Sequence, residues 1–354
     1  MRIGTTTIGI DHPPYVIAEL GVNHDGSPER LMELVRAAAS AGAHAIKLQL
    51  FTADDLLASA ATLAEYQVAA GEQDPRAMLR RLELPLEVAR EAIDLAHDLG
   101  LHAIATVFDL PLLPLAERLP LDAYKTASPD LVHKPLLDGS VATGKPLIVS
   151  TGAASRDEVQ RAVGWLAPAR DRLAVLQCVS SYPTPPEHAA VAAVADIADV
   201  FAGPVGYSDH TTLTDTGALA VTFGARMLEK HLTLDRTLPG PDHAASIEPA
   251  ELAEYVRLCQ SAYEGQWQAD PADERLGAPT KFMLPIEADV RQVARRSIVA
   301  ARDLPAGHVL SMDDFAFKRP AGGLEPWQAD LLLGKRLEFP IVADRAIMPH
   351  DVMD

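Results

Sequence analysis

Cysteine is nearly absent: Cys178 and Cys259 are the only two in 354 residues, too few for a disulfide framework and in keeping with free thiols in a reduced compartment. Long apolar runs are missing as well. No stretch reaches the length of a membrane span, and the opening MRIGTTTIGI has neither the basic start nor the apolar centre of a secretory signal, so a cytoplasmic protein without a membrane partner is expected. Positive charge is scarce, with 31 Lys and Arg against 49 Asp and Glu and a net charge of −18. That balance lacks the basic footprint that nucleic acids and anionic membranes require, so neither is an expected partner. An anionic substrate would have to be met by a local cluster of cations and amides. No GxGxxG turn follows an early strand, which argues against a doubly wound dinucleotide fold. Low-complexity tracts and exact repeats are absent too.

What is present is an ordinary globular composition, 48% hydrophobic and 23% charged, in a chain long enough for a barrel of roughly 250 residues and an appendage of roughly 60. From about residue 14, short apolar runs alternate with longer amphipathic stretches, the pattern of repeated βα units. The candidate strands are 15–19, 43–49, 101–106, 123–127, 146–150, 173–177, 203–208 and 225–231. Between them lie helical patterns such as PERLMELVRAAASA, LEVAREAIDLAHDLG and SRDEVQRAVGWLA, the last with Ser155 and Glu158 at capping-box spacing. Eight such units predict an α/β fold, a closed (β/α)8 TIM barrel over residues 1–262. Residues 263–290 are rich in turn formers and charge and read as a linker. Residues 291–354 carry nine basic and nine acidic side chains, unlike the acidic barrel, and predict a small β-rich domain.

In such a barrel the active site forms at the carboxyl ends of the strands. Here all eight ends are polar: Glu19 with Asn23 and His24; Lys47 and Gln49; Thr106; Lys125 with Ser128 and Asp130; Ser150 and Thr151; Ser180 and Tyr182; Ser208, Asp209 and His210; and Glu229, Lys230 and His231. A single strand-end Ser or Thr is ordinarily a cap or turn residue. Eight polar ends on one rim point to a site. Lys47 and Lys125 lie inside apolar strands, where a lysine is costly unless it meets an anion or is salt-bridged to a residue such as Glu19 or Glu229. Two lysines with several hydroxyls suit a phosphate and a carboxylate on a small molecule. His210 and His231 stand one βα repeat apart, so their imidazoles can meet at neighbouring points of the rim. With a carboxylate such as Glu19 they suit a divalent Mn²⁺, Zn²⁺ or Fe²⁺, although a lone strand histidine is more often structural.

These segments resemble the sialic acid synthase family, N-acetylneuraminate synthase and its legionaminate and pseudaminate relatives. The likeness is carried by YVIAELGVNHDGS, AIKLQLF, AYKTAS, PLIVSTG, QCVSSYPTPPE, VGYSDHT and MLEKHLTLDRTLPGPDHAASIEP, then by GAPTKFMLPIE in the linker and KRPAGGL in the tail. The tail resembles the family's antifreeze-like (SAF) domain. The resemblance implies a metal-dependent condensation of phosphoenolpyruvate with N-acetylmannosamine or a related open-chain N-acyl-mannosamine-type aldose, giving a nonulosonic acid and phosphate. His210 and His231 would hold the metal, Mn²⁺ first, with Mg²⁺ or Co²⁺ as alternatives. Glu19, Lys47, Lys125 and Asp130 would be the catalytic groups. Gln49, Thr106, Ser128 and Ser150 would join the lysines around phosphoenolpyruvate, while Ser180, Tyr182, Ser208 and Asp242 would lie toward the sugar. Arg319 would reach the N-acyl group from a second chain, which implies a homodimer with exchanged SAF domains. Asp130 stands where members often carry Glu, and Ser180 where some carry Asn.

The acceptor has several possible identities: N-acetylmannosamine, its 6-phosphate, or the diacetamido sugars of legionaminate and pseudaminate synthases. Another phosphoenolpyruvate aldol synthase on the same barrel is an alternative that the SDH and EKH phrases and the tail domain argue against. A non-catalytic carbohydrate-binding protein would have no use for Glu19, Lys47, Lys125, His210 and His231 together.

Overall fold

The computed structural model describes residues 1–353. Eight parallel strands close into a barrel: β1 (Tyr15–Gly21), β2 (Ala45–Leu50), β3 (His102–Val107), β4 (Ala123–Thr126), β5 (Leu147–Ser150), β6 (Leu173–Cys178), β7 (Val205–Asp209) and β8 (Met227–His231). Each pairs with the next, and β8 closes on β1 with His231 opposite Glu19. The expected barrel is therefore present, every strand within two residues of its predicted bounds. The three helical phrases form Pro28–Ser40, Leu86–Asp98 and Arg156–Trp165, and the Ser155–Glu158 capping box is made.

Because side chains alternate along a strand, one residue in two points into the barrel. Low in the interior those residues are apolar: Tyr15, Ile17, Ala45, Ile104, Ala123, Ile148, Ala174, Leu176 and Met227 pack as one buried cluster. Ile3 and Ile8, from and beside the amino-terminal hairpin (Arg2–Ile3 with Thr6–Thr7), join it from below. Continuing with the same parity, the inward residues become Glu19, Lys47, Thr106, Lys125, Ser150, Ser208 and Glu229. The apolar layer is thus the support on which a polar floor rests. The opposite parity, including Val16, Ile46, Ala103, Tyr124, Val149, Val175 and Leu228, packs outward with the helices. Gly206 permits the close approach of β7 to β8, since a Cβ there would lie 2.0 Å from the Met227 carbonyl oxygen.

After the last barrel helix (Pro249–Tyr263), the chain runs through short turns and the helix Ala288–Ala294 into a small carboxyl-terminal unit. Two antiparallel pairs, Ser297–Ala300 with Phe315–Lys318 and Arg336–Leu337 with Val352–Met353, surround a core that includes Ile298, Leu304, Leu310, Leu337 and Ile347. This unit lies against its own barrel. Arg295 and Arg291 bond Glu158, Arg296 bonds Asp130 and Asp109, and Arg319 exchanges backbone hydrogen bonds with Leu56 and Ala58, each 2.9 Å. No helix among the described residues is long and apolar enough to cross a membrane.

Candidate active site

The polar floor opens into a solvent-open cleft with about 910 Å³ of empty space, lined by residues from all eight strand ends and from the small unit. Lys47 donates to Thr106 Oγ1 at 2.9 Å and pairs with Glu19 Oε2 at 2.6 Å, while Gln49 donates to Glu19 Oε1 at 2.8 Å. Lys125 donates to Ser150 Oγ at 2.6 Å and stands 3.5 Å from Glu229, which accepts from Ser208 Oγ at 2.8 Å. Both lysines and both glutamates are nearly fully buried.

Burial sets the charges of this floor. It pushes the Glu19 carboxyl up, against the pull of Lys47. At Glu229 the burial penalty is outweighed by Lys125 and Lys47, and the carboxyl falls to about 2. Burial pulls Lys125 down, whereas at Lys47 the same penalty is overcome by Glu19 and Glu229 and its pKa rises. Asp242 is raised to about 6 by burial and by repulsion from Glu19. A low-dielectric floor with two paired cations and adjustable hydroxyls can rearrange around an entering anion.

His210 and His231 project into the same cleft from neighbouring strands, with ring centroids 5.4 Å apart and Tyr182 beside both. The His210 Nδ1 meets the Val179 carbonyl at 2.7 Å, which leaves Nε2 free as a lone-pair donor. The His231 Nδ1 is buried without a hydrogen-bond partner, 3.6 Å from Asp242, and burial holds this imidazole neutral. Two imidazoles with open nitrogens fit a divalent ion, His231 held neutral by burial and His210 with its pKa raised by Cys178 against the burial penalty. Among the described residues no group of three His, Cys, Asp or Glu encloses such an ion, so the remaining coordination would fall to water or substrate oxygens.

Of the expected site residues, Glu19, Lys47, Gln49, Thr106, Lys125, Ser128, Ser150, Tyr182, Ser208, His210, His231, Asp242 and Arg319 line this one cleft. Asp130 does not. Its carboxylate is fully buried and held by Arg296 at 2.7 Å, a contact that ties the small unit to the barrel. Ser180 is not at the cleft surface either. Its N–H donates to Glu287, and its buried hydroxyl has no partner and, with Ser128 Oγ, crowds the position a Cβ on Gly152 would take. In this single chain Arg319 lines the cleft of its own barrel. The linker permits this because Lys281 bonds the Cys178 carbonyl and Glu287 accepts from Ala153 and Ser180, holding the chain along the rim. Lys230 points outward, paired with Asp209 at 2.8 Å beneath the Tyr255 ring. Asn23 is occupied by the Leu232 carbonyl and the Ser246 hydroxyl.

Sequence reasoning placed Glu229 at a strand end as a possible partner of a buried lysine without giving it a site role, and missed all of Phe51, Leu56, Tyr66, Gln67, Met78, Leu79, Leu82 and Phe108 on the wall. The signal was available in the length of residues 51–85, far beyond an ordinary βα connection, because such loops usually carry function.

Comparison with known proteins agrees with this geometry. The model of the NeuB family matches residues 34–266, and that of the SAF domain matches residues 295–353. An N,N'-diacetyllegionaminic acid synthase of Legionella pneumophila is 35% identical over 94% of this chain and 93% of its own length. An N-acetylneuraminate-9-phosphate synthase of Mus musculus is 30% identical over 98% and 94%. The crystal structure of the spore coat polysaccharide biosynthesis protein SpsE of Bacillus subtilis superposes with a TM-score of 0.85, 30% identity and coverage of 100% of this chain and 99% of that one. With a polar barrel floor, paired imidazoles and a carboxyl-terminal unit over the cleft, this chain belongs to the NeuB family and ends in a SAF domain.

Proposed function

We propose that the protein is a nonulosonic acid synthase, condensing phosphoenolpyruvate with an N-acyl-mannosamine-type aldose and releasing phosphate. The observation that carries the reading is the pairing of two buried lysines with two open imidazoles in one cleft. Lys47 and Lys125, with Thr106, Ser128, Ser150 and Ser208, would exchange their carboxylate and hydroxyl partners for the phosphate and carboxylate of phosphoenolpyruvate. Carbon 3 of phosphoenolpyruvate then attacks the aldehyde carbon, water adds at carbon 2, and the C–O bond to phosphate breaks. His210 and His231 would hold a divalent ion, Mn²⁺ in the first instance, which supplies Lewis acidity toward the aldehyde oxygen. Glu19, raised by burial and adjacent to Lys47, is the group assigned to proton transfer at the new hydroxyl.

The reading includes a cytoplasmic homodimer. Exposed Leu331, Phe339 and Val342 give the small unit an apolar surface that a second copy would cover. Phosphate release from phosphoenolpyruvate in the presence of acylated aminosugars, with product mass as a second readout, tests the activity. No acceptor-dependent phosphate release in Mn²⁺, Mg²⁺ or Co²⁺ would overturn it.

A further inference from the structure

Behind the two imidazoles, on the outer face of the barrel, lies a charge pair that the chemistry above leaves unused. Asp209 and Lys230 are both wholly inaccessible, and the ammonium stands 2.8 Å from the carboxylate. Neither side chain lines the cleft. Strand alternation puts them outside, because each immediately precedes an inward imidazole: Asp209 before His210 at the end of β7, Lys230 before His231 on β8. They are also the last paired residues of the β7–β8 ladder. His231 goes on to pair with Glu19 of β1, whereas His210 has no rung on β8.

Side chains take over where the ladder stops. Thr211 donates to Asp209 Oδ1 from its N–H at 2.9 Å and from its hydroxyl at 2.8 Å, so the carboxylate closes a tight turn around His210. Lys230 donates to the Thr211 carbonyl and, at 3.3 Å, to Thr211 Oγ1. One ammonium therefore grips the residues on both sides of His210 from the position next to His231. The His210 ring is fixed separately by the Val179 carbonyl, and its own carbonyl accepts from the Thr184 N–H on the β6 side. On the β8 side the tie is Lys230.

Stability does not explain this pair. Two charges taken out of water are costly, and apolar residues of similar volume commonly fill such a position as well or better. What the pair adds is a fixed distance between two chain segments. A site built on two imidazoles needs that, since ligand distances around a bound ion hold to within about 0.2 Å. Resting on the metal assignment above, we infer that Asp209 and Lys230, acting through Thr211, are positioning residues. They set the separation of the His210 and His231 nitrogens, and with it the affinity for the divalent ion.

Titration of the full chain with Mn²⁺ alone, read by the electron paramagnetic resonance of the free ion, tests this without recourse to turnover. The variant is the double change Asp209→Asn with Lys230→Met, which keeps both shapes and leaves no unpaired buried charge. Its Kd for Mn²⁺ should rise at least about tenfold, since supports behind metal ligands are worth roughly 10- to 100-fold in affinity. Its urea unfolding should stay cooperative. At saturating Mn²⁺ its KM for phosphoenolpyruvate should lie within about twofold of the unmodified chain, because Lys47 and Lys125 are untouched. An unchanged Mn²⁺ affinity in the folded double variant overturns the inference and leaves the metal assignment standing. An unmodified chain that binds no Mn²⁺ overturns the metal assignment and this inference with it. Thr211→Val, nearly isosteric, keeps the ion pair and cuts only the hydroxyl tie. It should weaken Mn²⁺ binding at least about threefold on the same scale, and an unchanged Kd there overturns the route through Thr211.

Discussion

Glu158 joins the barrel to the small unit, and its replacement by Gln tests how that seam is held. The residue caps the helix Arg156–Trp165, where its carboxylate accepts from the Ser155 N–H at 2.8 Å. It also receives two bonds from Arg291, both 2.9 Å, and two from Arg295, 2.6 and 3.0 Å. Burial would raise this carboxyl, but the two guanidinium partners win and hold it at about 2 against an ordinary 4.5. A depression of that size corresponds to about 3 kcal/mol at neutral pH, at 1.36 kcal/mol per pH unit. Because the folded-state value is lowered, the stabilisation is fully present above about pH 4.5 and is lost as pH falls toward 2. Glu158→Gln should therefore lower the free energy of urea unfolding by about 3 kcal/mol at pH 7, with the gap narrowing by about 1.4 kcal/mol at pH 3.5. The variant should also raise the acceptor KM more than that for phosphoenolpyruvate, since Arg319 hangs from the same unit. An unfolding midpoint equal to that of the unmodified chain, or a gap that does not change with pH, would refute the seam as an electrostatic lock.

Lys125→Met keeps the aliphatic stem and removes the charge, and kcat/KM for phosphoenolpyruvate should fall on the order of 10²- to 10³-fold in the phosphate assay; a loss below about tenfold would count against Lys125 as an anion ligand. His231→Ala should abolish turnover and titratable Mn²⁺ binding while thermal unfolding stays cooperative, and activity that survives a chelator would sink the metal assignment. Asp130→Asn removes one of the two carboxylates that hold the buried Arg296, so linker proteolysis and acceptor KM should rise at a stability cost of about 3 kcal/mol. A fall in kcat with unchanged stability would instead restore Asp130 to the chemistry. Mixing inactive Arg319→Ala with inactive His231→Ala chains under subunit exchange separates the two arrangements: partial recovery of activity shows that the SAF domains are exchanged between subunits, and no recovery shows that each cleft takes Arg319 from its own chain.

The barrel was legible because its determinants are local and periodic. Runs such as YVIAE and PLIVS are too apolar and too short to be anything but buried strands, and the helices between them carry their own start signals, as at Ser155 and Glu158. The floor was legible for a related reason. A lysine inside an apolar strand is costly wherever it points, so Lys47 and Lys125 declared a polar interior before any coordinates did. Strand parity then accounts for Glu229 facing in and Lys230 facing out, a distinction that a roll of polar strand ends does not make.

Sequence alone determined the α/β class, the eight strand ends, the two lysines and the two histidines, since each depends on chain order, alternation and residue chemistry. Tertiary structure decided the rest. Asp130 became an anchor because Arg296, 166 residues away, takes its carboxylate. Arg319 came to lie in its own cleft because Glu287 and Lys281 fasten the linker to the rim. The apolar wall arose because residues 51–82 fold over the strand ends and bring Phe51, Met78 and Phe108 together. These outcomes depend on contacts between residues far apart in sequence, and no spacing along the chain encodes which distant charge or side chain arrives first.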